Sequence, residues 1–124
     1  MKTYISTPPD NVKVYRALLT QSGADAPVAT VLENTLGGTV VWTYLDLGRY
    51  VGTLASAFTA NKTCLPYVNA TITMDGNNPT LTSFFQVNAN SVQLETSSAD
   101  IAGGSNGLTN SLLTDAFVEI TVYP

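Results

Sequence analysis

A chain of 124 residues is long enough for one domain that buries roughly two-thirds of its unfolded surface, so it needs no disulfide or metal staple. Only 11% of residues are charged, the net charge is −4, and the cations Lys2, Lys13, Arg16, Arg49 and Lys62 are scattered, which argues against a phosphate-neutralising nucleic-acid surface. No apolar run approaches the ~20 residues of a membrane span, Met1–Asp10 lacks the apolar core of a secretory signal, and the single Cys64 allows no intrachain disulfide, so synthesis and retention in the cytoplasm are expected.

Met1–Asn11 is a polar arm in which Pro8-Pro9 imposes an extended backbone. It reads either as a frayed terminus or as an arm that docks on a neighbouring subunit. Residues 12–124 read as a single β-domain. Val12–Thr20 is a strand, apolar on both faces after Arg16, which suggests a central and doubly covered position. Gln21–Pro27 is a loop, and Val28–Leu36 is a β-branched strand ended by Gly37-Gly38. Thr39–Leu45 alternates with Val40, Trp42 and Tyr44 on one side. Arg49–Ala55 alternates with Tyr50, Gly52 and Leu54 on one side. Trp42, the one tryptophan, belongs in the core.

Ser56–Lys62 reads as a loop that buries Phe58. Thr63–Met74 alternates, with Cys64, Val68, Ala70, Ile72 and Met74 on one face, and Pro66 marks a strand start or a sheet edge. Asp75–Pro79 is a turn, Thr80–Val87 pairs back with Leu81, Phe85 and Val87 alternating, and Asn88–Asn90 turns again. Ser91–Thr96 is a short strand with Val92 and Leu94 inward. Ser97–Asn110 is the loosest stretch, with a helical turn expected near Leu108–Thr114. Ala116–Val122 closes the chain with Val118, Ile120 and Val122 on one face. About eight strands at this spacing predict an all-β fold, an antiparallel β-sandwich whose jelly-roll or immunoglobulin-like topology the pattern leaves open.

The residues offer little chemistry. There is no histidine, which removes histidine triads, histidine bases and histidine metal sites. Cys64 on an apolar face is expected to be a buried, inert thiol. Catalysis by carboxylates needs a pair held ~5–9 Å apart. Glu33, Glu95 and Glu119 lie on predicted strands and are expected to face solvent instead. Asp75 with Asn77 and Asn78 reads as a hairpin turn rather than a calcium loop. The tyrosines 4, 15, 44, 50, 67 and 123 read as half-buried packing residues, or else as an aromatic platform for sugars. The expectation is no enzyme, no cofactor and no metal.

The run VYRALLTQSGADAPVATVLENTLGG (Val14–Gly38), the TVVW after it, the later ANKT and the closing VEITVYP (Val118–Pro124) resemble a group of small β-proteins encoded by tailed bacteriophages and prophages. The resemblance is densest from Val14 to Tyr50. The long Met1–Asn11 extension and the region from Cys64 to Asn110 depart from it. It implies a virion structural protein: a capsid decoration protein, head fibre or tail component, made in the host cytoplasm and carried on the particle. The partners implied are further copies of the chain, with a trimer favoured, and a capsid or tail protein. Tyr4, Pro8, Pro9, Ile101 and Leu108, in the arm and the loose Ser97–Asn110 stretch, are the expected assembly residues. A carbohydrate-binding host-attachment module is the alternative.

Overall fold

Threonine, valine and aromatic residues in alternation favour pleated backbone, and Gly, Asp and Asn at the breaks favour turns. The computed structural model describes residues 11–69, 80–99 and 106–124, and in them this pattern produces strands and no helix. The strands are β1 (Lys13–Thr20), β2 (Val28–Asn34), β3 (Val41–Asp46), β4 (Arg49–Thr53), β5 (Thr63–Asn69), β6 (Thr80–Asn88), β7 (Ser91–Ala99), β8 (Asn106–Leu108) and β9 (Ala116–Val122). They form two antiparallel sheets, ordered β2-β1-β9-β5 and β3-β4-β7-β6. The short β8 pairs with Ser97–Ala99 of β7, just beyond the Ser91–Glu95 segment that pairs with β4. The architecture is a β-sandwich.

The core lies between the sheets and follows the period of two. Tyr15, Ala17 and Leu19 of β1 face inward beside Ala116, Val118, Ile120 and Val122 of β9. Trp42, Tyr50, Val92 and Leu94 fill the same space from the other sheet, and Phe58 is buried with them from the β4–β5 loop. Each such side chain contributes roughly 1.5–3 kcal/mol relative to its exposed state. Two polar tips are carried inside: Trp42 Nε1 donates to Tyr15 Oη at 3.1 Å, and Tyr50 Oη donates to Gln21 Oε1 at 2.7 Å. Gly52 stands where β4 passes under the indole. A Cβ there would sit 3.1 Å from both Trp42 and Val40 side-chain atoms.

Several expectations need correction. β1 is central in its sheet, but its two faces differ: Tyr15, Ala17 and Leu19 are fully buried, Val14, Arg16 and Leu18 only half-buried, and among the described residues the other sheet packs on the first face alone. Cys64 is exposed. A bulge between Cys64 and Tyr67 shifts the register, so Cys64 pairs with Thr121 and Val68 with the buried Val118. Cys64 therefore lies on the opposite face from the one its spacing to Val68 suggested. Leu81, Phe85 and Val87 of β6 are exposed, because Phe84, not Phe85, lies across from the buried Leu94. The Phe84 ring instead packs 6.3 Å from the Trp42 ring.

β7 extends to Ala99. The expected helical turn is absent: Leu108 ends β8, and the segment after it is irregular, with Leu112 and Leu113 buried. The turn at Asp75–Pro79 lies outside the described residues.

Candidate functional site

Of the residues expected in assembly, Tyr4, Pro8, Pro9 and Ile101 lie outside the described residues. Leu108 is half-buried at the end of β8. β2, which alternation marked only as a strand, is exposed along nearly its whole length; β3 and β6 also carry exposed apolar side chains, Val41 and Leu45, and Leu81, Phe85 and Val87. Among the described residues β2 is an outer strand of its sheet and pairs with β1 alone. Val28 is 69%, Leu32 57% and Val31 49% exposed. Val31 lies in register with the fully buried Ala17 yet is half exposed, while Ala29, in register with Leu19, packs partly against the core, so the core covers β2 at Ala29 and leaves it by Val31. Apart from Ala29 the strand is exposed, and among the described residues its second edge of backbone N–H and C=O groups has no strand partner. Such an edge is a template for pairing with another chain.

Four of the described carboxylates, Glu33, Asp46, Glu95 and Glu119, are paired with the two arginines. Arg16 sits between Glu33 of β2 and Glu119 of β9, its register partners on the two sides. Its guanidinium binds Glu119 Oε2 through Nε at 2.6 Å and Glu33 through Nη1. The Glu119 hydrogen bond is the chief reason the Arg16 pKa is raised, with the charges of Glu119 and Glu33 adding to it. In the other sheet Arg49 Nε binds Glu95 Oε2 at 2.8 Å and Nη1 lies 3.5 Å from Asp46. Among the described residues no three His, Cys, Asp or Glu side chains are grouped to hold a metal ion.

Among the described residues the tyrosines build no platform. Tyr15 and Tyr50 are core residues. Tyr44 is half-buried and its hydroxyl accepts from Asn110 Nδ2 at 3.1 Å, while Tyr123 is exposed. Tyr4 and the side chain of Tyr67 lie outside the described residues.

One cleft of about 280 Å³ opens at the end of the sandwich where the β4–β5 loop crosses from sheet to sheet. Asn11, Lys13, Ser56, Thr59, Lys62 and Tyr123 line it over a floor that includes Val122 and Pro124. The topology brings them together. Lys13 on β1 and Thr63 on β5 both pair with Val122 of the intervening β9, and Tyr123 N donates to Lys62 O at 2.8 Å. The loop is tied down: Ser56 N donates to Asn90 Oδ1 at 2.8 Å, Phe58 N to Ala89 O at 2.9 Å, and Thr63 Oγ1 to Thr59 O at 2.9 Å. Lys13 and Lys62 read as unrelated cations in the sequence. Only the three-strand register of β1, β9 and β5 places them together, and no local motif signals it.

Compared with protein-family models, with curated proteins and with solved structures, the chain matches none.

Proposed function

We propose that the protein is a non-enzymatic structural component of a tailed-phage virion, a capsid decoration protein, head fibre or tail component, that works by assembling with copies of itself and seating on a capsid or tail protein. The observation that carries the reading is β2, an edge strand among the described residues, with Val28, Val31 and Leu32 open to solvent and only Ala29 packed against the core. An uncovered apolar edge is an aggregation hazard unless another chain occupies it. The stretch containing β2 also carries part of the resemblance to phage proteins. A contact between β2 of one copy and a different surface of the next is heterologous, and three-fold closure turns it into a ring without an open end. The scarcity of charge suits contacts made by buried area rather than by electrostatic steering.

Two measurements test this. Mass spectrometry of particles purified from the phage or prophage that carries the coding sequence should find the chain in many copies per virion; particles free of it overturn the virion assignment. Light scattering across a range of concentrations should give about three times the 13.1 kDa chain mass. The Val31→Lys/Leu32→Lys double variant should scatter as a monomer with an unchanged far-ultraviolet circular dichroism spectrum. A wild-type monomer at every concentration, or a variant that assembles normally, overturns assembly through β2.

A further inference from the structure

The described cations divide into two groups. Arg16 and Arg49 are each held by two carboxylates. Lys13 and Lys62 make no ion pair with any described residue, and both line the end cleft. Lys13 and Lys62 are thus the described cations not held by a carboxylate, and both lie at this one concave site. The other polar groups there are also unspent. The Asn11 amide, the Ser56 and Thr59 hydroxyls and the Tyr123 hydroxyl have no hydrogen-bond partner among the described residues. Ser56 and Thr59 are displayed by a loop that the backbone bonds at Ser56, Phe58 and Tyr123 hold in place, and Asn11 and Tyr123 flank β1 and β9, so little ordering of the loop is needed to use it.

From this convergence we infer that the cleft binds a carboxylate-bearing saccharide, one acidic sugar ring at a time. The two ammonium groups receive the carboxylate. The hydroxyls and the amide match ring hydroxyls, and the exposed Tyr123 with Val122 and Pro124 offers the apolar surface on which a ring's C–H face rests. The volume, about 280 Å³, is at the low end of small-molecule sites, which suits a single ring and not a folded oligosaccharide. This binding is independent of assembly through β2: the cleft uses the ends of β1 and β9 and the β4–β5 loop, and no residue of β2 lines it.

The test is a titration of the ¹⁵N-labelled full chain with D-glucuronate, followed by amide shifts. Shifts confined to Asn11, Lys13, Ser56–Lys62 and Tyr123, with an affinity of about 1 mM, are expected. Glucose, which lacks the charge, and acetate, which lacks the ring, should each bind about tenfold more weakly. Lys13→Gln and Lys62→Gln should each weaken binding about threefold, as expected for exposed charge pairs, while Lys62→Arg retains it. Both lysines are exposed, so the variants keep the fold, and the unchanged shifts of core amides check this. Four results overturn the inference: no shift at about ten times the expected dissociation constant, glucose binding equal to glucuronate, acetate binding equal to glucuronate, or binding indifferent to loss of both lysines. None of these bears on the oligomer mass, so the saccharide site and the assembly reading fail separately.

Discussion

Gln21 is buried at the end of β1, and both ends of its amide are in use. Oε1 accepts from Tyr50 Oη at 2.7 Å and Ser111 N at 2.8 Å, while Nε2 donates to Gly23 O at 2.8 Å and Asp25 O at 3.0 Å. One side chain thus ties β4, the loop after β1 and the segment before β9. Gln21→Leu leaves a buried hydroxyl and a backbone N–H without their acceptor, and should cost about 2–3 kcal/mol in urea denaturation. Gly48 answers a different need: its φ is +65°, and a Cβ would lie 2.5 Å from Thr96 O and 2.7 Å from Thr109 N. Gly37, at φ +94°, has open space around it. Gly37→Ala should therefore cost about 1 kcal/mol from backbone conformation alone. Gly48→Ala should cost more than twice that, and equal losses would show that the clash is relieved. Burial raises the pKa of Tyr15 and Tyr50 above 10.0, their hydrogen bonds opposing this only in part. The unfolded chain therefore releases these protons first, so their contribution to stability is complete below about pH 10 and falls as pH rises toward the folded values. Urea midpoints measured from pH 8 upward should stay level and then drop above about pH 10, with tyrosinate absorbance from these two residues appearing only with unfolding. The sequence reveals Trp42 as a core residue because size and alternation agree. It hides Gln21, because a glutamine beside Ser-Gly reads as loop until β1 and β9 are paired.

Elements were legible where alternation runs unbroken and misleading where it shifts. β9 reads Ala116, Val118, Ile120, Val122 and buries all four. β5 is, among the described residues, an outer strand with a bulge across Pro66, which alternation alone does not reveal, and the side chain before it changes faces. β6 presents Phe84 and Phe85 side by side, and only the register with Leu94 decides which is inside. β2 is the instructive case, because composition cannot distinguish a central apolar strand from an overhanging one. Val118→Ala and Val31→Ala remove the same atoms from two strands that flank β1. Val118 is fully buried, so its truncation should cost about 2 kcal/mol, whereas Val31→Ala should change monomer stability by less than about 0.5 kcal/mol. Denaturation at concentrations too dilute for assembly checks both. A large loss at Val31 there would mean that the core reaches Val31 after all.

At the scale of the whole molecule, the first described strand and the last are hydrogen-bonded neighbours, with Lys13 paired to Val122 and Leu19 to Ala116. β9 also pairs with β5, so it is the strand that joins β1 to β5. The same closure creates the end cleft, which explains why the cleft was invisible in the linear order: its lysines are neighbours only after the chain's two ends have met. Every strand neighbour of β9 is distant in sequence, and the loop-closure entropy must be spent before its buried valines and isoleucine return anything. Folding should therefore be slow for a chain of this length, in the millisecond-to-second range typical of sandwiches dominated by non-local pairing. A fragment ending at Thr114 keeps β2–β1 and the whole second sheet in sequence, yet loses Ala116, Val118, Ile120 and Val122 from the core and leaves β1 and β5 unpaired on their inner edges. It should be unfolded by near-ultraviolet circular dichroism. Addition of a peptide spanning Asp115–Pro124 should restore the Trp42 signal, because the missing strand supplies both the backbone partners and the inward side chains. A fragment that is native-like without the peptide would show that the second sheet holds the structure by itself, and would remove β9 as the element on which the sandwich closes.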